Sequence, residues 1–229
     1  AVNAYLDRGA IVFVTGSKFM GGPPFSGFAF IPTSITRGAA PLADGLATIF
    51  RRGEWPQSWP GAGKLPDSSN IGLLLRLEAS IFELERFQSL SPETIERVIL
   101  AFHAAVRSEI IDRTPAHRLA PYPPGDREEA DTHPIEMRTL STLDLSEFGG
   151  GSTFEDAQAW HKALIAHGVR LGQPVKCVRL ADGRWGATLR IGLAMWQIVD
   201  RASLTQDALA DSFRTDMAQI RTALLAVAG

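Results

Sequence analysis

The order of apolar runs and periodic segments predicts an α/β protein. Three observations carry that prediction. Two short runs rich in β-branched and aromatic residues, 10–14 and 27–32, read as strands on either side of a loop of small residues. Two longer stretches, 71–87 and 91–113, repeat apolar residues at helical spacing. From about residue 135 the pattern reads strand, helix, strand, strand, helix, which suits an α/β sandwich.

Taken in order, Ala10-Ile11-Val12-Phe13-Val14 is a continuous apolar run and reads as a buried strand; Gly27-Phe28-Ala29-Phe30-Ile31-Pro32 reads as a second. Residues 33–68 are rich in loop formers, with a short helix expected over Leu42–Phe50 and with Trp55 and Trp59 packing beneath the loop. Ser68-Ser69-Asn70 supplies capping residues for a helix over Ile71–Phe87, whose stripe is Leu74, Leu77, Ile81 and Leu84. Ser91-Pro92-Glu93 opens the next helix, with Ser as N-cap and Pro in the first turn. Ile95, Val98, Ile99, Phe102, Val106 and Ile110 form its core face, His103 beside them is structural, and Pro115 ends it near Arg113.

The proline-rich stretch 114–134 reads as a solvated connection. A strand is expected over Ile135–Leu143, and Ser152-x-x-Glu155 as a capping box for a helix to about Ala166 closed by Gly168. Trp160 and Leu164 of that helix should face the core and His161 should face out. Two strands, Val175–Leu180 and Trp185–Leu193, should flank the hairpin signal Asp182-Gly183, with Cys177 a small core residue. Ser203-Leu204-Thr205-Gln206 opens a last helix with the stripe Leu209, Phe213, Ile220 and Leu224.

Composition narrows the function classes. The 229 residues are 45% hydrophobic and 21% charged with a net charge of −2, ordinary for a soluble globular chain. That balance gives no electrostatic case for a nucleic-acid or anionic-membrane partner. One cysteine excludes an internal disulfide and fits a reducing, cytoplasmic setting. No apolar run approaches the ~18 residues of a membrane helix, and no signal peptide is visible at the first residues. His117, His133 and Cys177 have no metal-ligand spacing, so no metal site is expected.

The stretch that carries chemistry is Thr15-Gly16-Ser17-Lys18-Phe19-Met20-Gly21-Gly22-Pro23-Pro24-Phe25-Ser26-Gly27. A lysine at the end of a buried strand is easily desolvated, which lowers its pKa and frees the amine as a nucleophile. The order Gly-Ser-Lys-Phe before two prolines is not a Walker A loop, which needs Gly-Lys-Ser/Thr opening a helix.

This segment resembles the lysine loop of fold-type I pyridoxal-phosphate enzymes, the aspartate-aminotransferase superfamily, in its branch with Ser/Thr-x-x-Lys-Phe-x-Gly-Pro. The resemblance implies that Lys18 carries pyridoxal 5'-phosphate as a Schiff base and that Thr15 and Ser17 lie near the cofactor. It implies that Ser68, Ser69 and Asn70 reach the cofactor phosphate across a homodimer, as a helix N-terminus favours. It implies that Arg190, in Leu189-Arg190-Ile191-Gly192, pairs with a substrate carboxylate, a task suited to a planar charged fork.

The implied layout is the end of the transferase large domain, with a mixed sheet, over residues 1–90, followed by a small α/β C-terminal domain with its connecting helix over 91–229. The family carries more chain upstream, including the aspartate that pairs with the pyridine nitrogen; Asp7 lies too close to Lys18 for that role. The chain opens without Met and is expected to be a fragment. Its expected activity is aminotransferase-like on an amino acid or related amine. The alternative is a catalytically silent fragment, or an assembly subunit that retains the fold.

Overall fold

The computed structural model describes residues 2–119 and 139–228. They combine helices with two small sheets, so the chain is α/β in that broad sense. All strand pairing among the described residues is antiparallel. The chain divides into two compact units, residues 1–85 and 86–229.

In the first unit, helix α1 (Val2–Leu6) leads into strand β1 (Val12–Thr15), which pairs with β2 (Gly27–Phe30) in the register Val12↔Phe30 to Thr15↔Gly27. The expectation of a buried strand at 10–14 is corrected here. The two strands pair only with each other, and Phe13 is 82% exposed. A run of apolar residues specifies a strand but not that both of its faces are covered. Short helix α2 (Thr33–Arg37) follows. The helix expected over 42–50 is a 3-10 turn, Asp44–Thr48. Trp55 packs edge-on between Phe50 and Trp59, with ring centroids 5.0 and 5.7 Å away, and Trp59 Nε1 donates to Ala40 O at 3.2 Å. Both tryptophans are half-buried beneath the loop, as expected.

Helix α3 (Ile71–Gln88) begins at Asn70, whose Oδ1 accepts from Leu73 N at 3.1 Å. Its predicted stripe is present but not buried: Leu74 and Ile81 are exposed, as are Ile71, Leu75 and Phe82.

The second unit holds most of the core. Helix α4 (Pro92–Glu109) starts where expected, with Ser91 Oγ accepting from Thr94 N at 3.2 Å. Its predicted face, including Ile95, Val98, Ile99, Phe102 and Val106, is buried. His103 is half-buried, its ring centroid 5.2 Å from that of Phe102. The sheet runs in the order β3 (His117–Arg118), β4 (Leu140–Asp144), β5 (Thr188–Gly192), with Leu143 opposite Leu189 and Ser141 opposite Ile191. Residues 135–138 of the expected strand, and His133, lie outside the described residues.

Helix α5 (Phe154–Ala163) is capped one residue later than expected. Thr153 Oγ1 accepts from Asp156 N, and Asp156 Oδ2 accepts from Thr153 N at 2.8 Å. Ser152 instead donates to Phe148 O. A 3-10 turn continues to His167, and Gly168 closes it at φ 72°, the left-handed terminator the glycine predicts. Leu164 is buried, whereas Trp160 is half-buried. His161, expected to face out, is half-buried too, with Nε2 3.1 Å from Leu171 O.

The expected strand at 175–180 contributes only the bridge Arg179↔Trp185, although the turn at Asp182-Gly183 forms, with Gly183 at φ 82°. Helix α6 (Met195–Arg201) and helix α7 (Gln206–Ala228) complete the unit. Thr205, rather than Ser203, caps α7, its Oγ1 accepting from Ala208 N at 3.3 Å. Leu209, Phe213 and Leu224 of the predicted stripe are buried, and Ile220 is half-buried. Phe213 meets Phe102 edge-on at 5.9 Å, and each such ring contributes about 1.5–3 kcal/mol on burial.

Candidate functional site

The β1–β2 connection holds Lys18 at an exposed tip above a closed base. At the base, Gly16 N donates to Ser26 O at 2.5 Å and Gly22 N to Gly16 O at 2.8 Å. Nearer the tip, Gly21 N donates to Lys18 O at 2.9 Å, and Ser26 Oγ donates to Pro23 O at 2.7 Å. Gly21 sits at φ 74°, which favours glycine; Phe25 sits at φ 63°, rare for a residue with a side chain. Phe25 is also 86% exposed, so no packing of its ring accounts for that conformation.

The glycines at the base are required by space, because both face Ser80 of α3. A Cβ at Gly16 would lie 2.7 Å from Ser80 Cβ and 2.8 Å from Ser26 Oγ. One at Gly22 would lie 2.8 Å from Ser80 Cβ and 2.9 Å from Gly16 O. Ser80 is fully buried and its hydroxyl donates to Arg76 O at 2.9 Å. Ser80 escaped the sequence reading, because a serine inside a helical pattern carries no signal of what it touches.

The sequence-predicted residues fall in two places. Lys18, Thr15 and Ser17 share the loop, and the Thr15 and Ser17 hydroxyls share a hydrogen bond at 3.2 Å. The predicted desolvation of Lys18 is corrected: its side chain is exposed, because β1 ends at a hairpin edge rather than inside a covered sheet. Ser68, Ser69 and Asn70 are exposed at the start of α3, in the same unit. Asn70 is already engaged, capping α3 with its oxygen and donating from Nδ2 to Glu54 Oε1 at 2.6 Å.

Arg190 belongs to the second unit. Its Nε donates to Gln173 O at 3.1 Å and its stem lies on Gly172, whose added Cβ would be 3.0 Å from Arg190 Cβ. It alternates with the buried Leu189 and Ile191 on β5 and is half-buried.

Cys177 is exposed, correcting the core assignment, because the segment around it is not a ladder strand. Partial desolvation pushes its thiol up; Asp144 adds to that, and Thr188 and Arg190 oppose it. A raised thiol makes a poor nucleophile. Among the described residues no three His, Cys, Asp or Glu side chains are grouped to hold a metal ion, and no helix is long and apolar enough to cross a membrane.

The second unit also has a cleft of ≈ 290 Å³, lined by Leu171, Leu193, Trp196, Arg201 and Asp216. Arg201 is spent within the fold, bonding to Ser212 Oγ at 3.1 Å and Asp216 Oδ2 at 2.7 Å with its guanidinium 4.8 Å from the Phe213 ring centre. None of the predicted site residues lines this cleft. No family model, curated protein or solved structure matches the chain.

Proposed function

We propose that the chain is the C-terminal part of a fold-type I pyridoxal-phosphate enzyme, aminotransferase-like, acting on an amino acid or related amine. The observation that carries the reading is an accessible lysine at the tip of a strand–loop–strand unit whose base is fixed by glycines and buried serines. The donor set fits the cofactor: an exposed amine for its aldehyde and two hydroxyls on the same loop for its phosphate. When bound, pyridoxal phosphate supplies the electron sink for chemistry at the substrate α-carbon.

The chain's own residues position and move protons. Lys18 Nζ would hold the cofactor and would also be the group that takes or returns a proton at the substrate α-carbon. Thr15 Oγ1 and Ser17 Oγ would hold the cofactor phosphate, and Ser68 and Ser69 would serve the same purpose across a homodimer. Arg190 orients the substrate carboxylate.

The test is the visible absorption spectrum of the chain with pyridoxal phosphate, before and after borohydride, beside Lys18→Ala. A band trapped on the Lys18 peptide and absent from the variant supports the reading. Cofactor trapped equally on Lys64, Lys162 and Lys176 refutes it.

A second reading, an assembly subunit, is favoured by the exposed Phe13, Ile71, Leu74, Leu75 and Phe82 of the first unit. Light scattering at micromolar concentration tests the homodimer that both readings use.

A further inference from the structure

We propose that Ser80 is a positioning residue for Lys18, acting through the backbone of Gly16 and Gly22. The inference deepens the proposed function and rests on Lys18 as the reactive amine. Ser80 is fully buried, yet its hydroxyl bonds within its own helix, to Arg76 O at 2.9 Å. Its role toward the loop is therefore one of shape.

Gly16 and Gly22 close the neck of the lysine loop, linked by the Gly22 N to Gly16 O bond at 2.8 Å. Both press on the same serine, and a Cβ at either position would lie under 3 Å from Ser80 Cβ. Neither glycine has a positive φ, so space alone demands glycine there. Interiors are close-packed, and a misfit of one methyl group is felt. An added methyl at this contact has two outlets: it pushes α3 away or it opens the neck. The neck is the softer element, an irregular connection against an 18-residue helix. Opening the neck moves Lys18, which sits two residues beyond Gly16 and four before Gly22.

The experiment reads Lys18 directly and needs no cofactor. Reductive methylation at limiting reagent, quantified by peptide mass, gives the rate at Lys18 relative to Lys64, Lys162 and Lys176, the chain's other three lysines, all exposed. Gly16→Ala is expected to change the relative rate at Lys18 by about tenfold, the size of a coupling between touching residues. Ser80→Gly in the same chain, which removes the opposing side chain, is expected to restore it. Ser80→Thr, a gentler misfit from the other side, is expected to shift the rate in the same direction as Gly16→Ala, with far-ultraviolet circular dichroism unchanged.

A Lys18 rate that tracks the three control lysines in every folded variant overturns the proposal, as does a Gly16→Ala defect that Ser80→Gly leaves in place. If Gly16→Ala unfolds the chain, Ser80→Thr alone decides the matter. Failure of the wild-type chain to trap pyridoxal phosphate on Lys18 sinks the proposed function but leaves this rate comparison intact.

Discussion

Glu109 offers a quantitative test of how the second unit is held together. It lies in the last turn of α4 with its side chain 4% exposed, where the helix dipole disfavours an anion. Two arginines compensate: Arg113 Nη2 lies 3.4 Å from Oε1, and Arg221 of α7 bonds both Oε2 and, at 3.2 Å, the Glu109 carbonyl. Arg113 is exposed and loses little without its partner. Arg221 is 20% exposed, so Glu109→Ala leaves a largely desolvated guanidinium with only a carbonyl.

Breaking a buried pair costs about 3–5 kcal/mol, and partial access of water to Arg221 places this case near 3 kcal/mol. With a urea slope of about 2 kcal/mol per molar, the midpoint falls by about 1.5 M. The assay is urea unfolding by tryptophan fluorescence with Trp55 and Trp59 changed to Phe, so that Trp160, Trp185 and Trp196 report on the second unit. Glu109→Leu with Arg221→Met should recover most of the loss, since an apolar pair of similar volume replaces the ions. A loss under about 1 kcal/mol for Glu109→Ala, or a double variant as costly as the two single changes summed, would refute the reasoning.

Two further outcomes follow from local geometry. The Thr153 backbone N–H, then its hydroxyl, hold the Asp156 carboxyl below the usual carboxylate range. The folded value lies below the unfolded one, so this stabilisation is complete above the unfolded pKa and is lost as pH falls through the folded value. The midpoint gap between the native chain and Asp156→Asn should therefore be present near pH 7 and shrink on acidification, and a gap that persists in acid would assign it to shape rather than charge; Thr153→Ala should cost about 1 kcal/mol. Phe25→Asn should stabilise the hairpin by about 0.5–1 kcal/mol, because asparagine tolerates φ 63° better than phenylalanine; hydrogen exchange at Val12–Thr15 measures it, and faster exchange would show that the ring makes a needed contact.

The parts of this fold legible in the sequence are those specified by a local rule. Ser91 and Pro92 fix the start of α4, Gly168 marks a left-handed terminator, and Asp182-Gly183 marks a turn, each through the conformational limits of one or two residues. The α4 face was readable because helical periodicity and burial agree along it. What was not readable depends on partners distant in sequence. Cys177 alternates like a strand residue, but the neighbour that would make a ladder is missing along most of 175–180. At the candidate site, residue type and spacing singled out Lys18, while its exposure follows from a two-stranded hairpin with no further strand beside it and the Ser80 contact comes from a helix more than fifty residues away.

The two units differ in a way that bears on where chemistry can occur. Among the described residues of the first unit only Met20, Pro32, Ala62 and Leu65 are buried apolar side chains, alongside the buried polar Ser26, Thr36 and Ser80. At about 25 cal/mol per Å² of apolar surface removed from water, so few residues supply little of the free energy needed to order a unit of this length. The same unit leaves Leu74 and Ile81 of the periodic stripe exposed, together with Phe13, Ile71, Leu75 and Phe82. Periodicity thus identifies which side chains require cover without identifying what covers them. The Lys18 loop is held within this unit by backbone bonds, the Gly16–Ser80–Gly22 contact and its own buried Met20, with few other core side chains behind it. Covering the apolar face would stiffen α3, and with it Ser80. On the proposed homodimer, assembly and the placement of Lys18 would be coupled through one helix, so a condition that changes the oligomeric state should also change the relative methylation rate at Lys18.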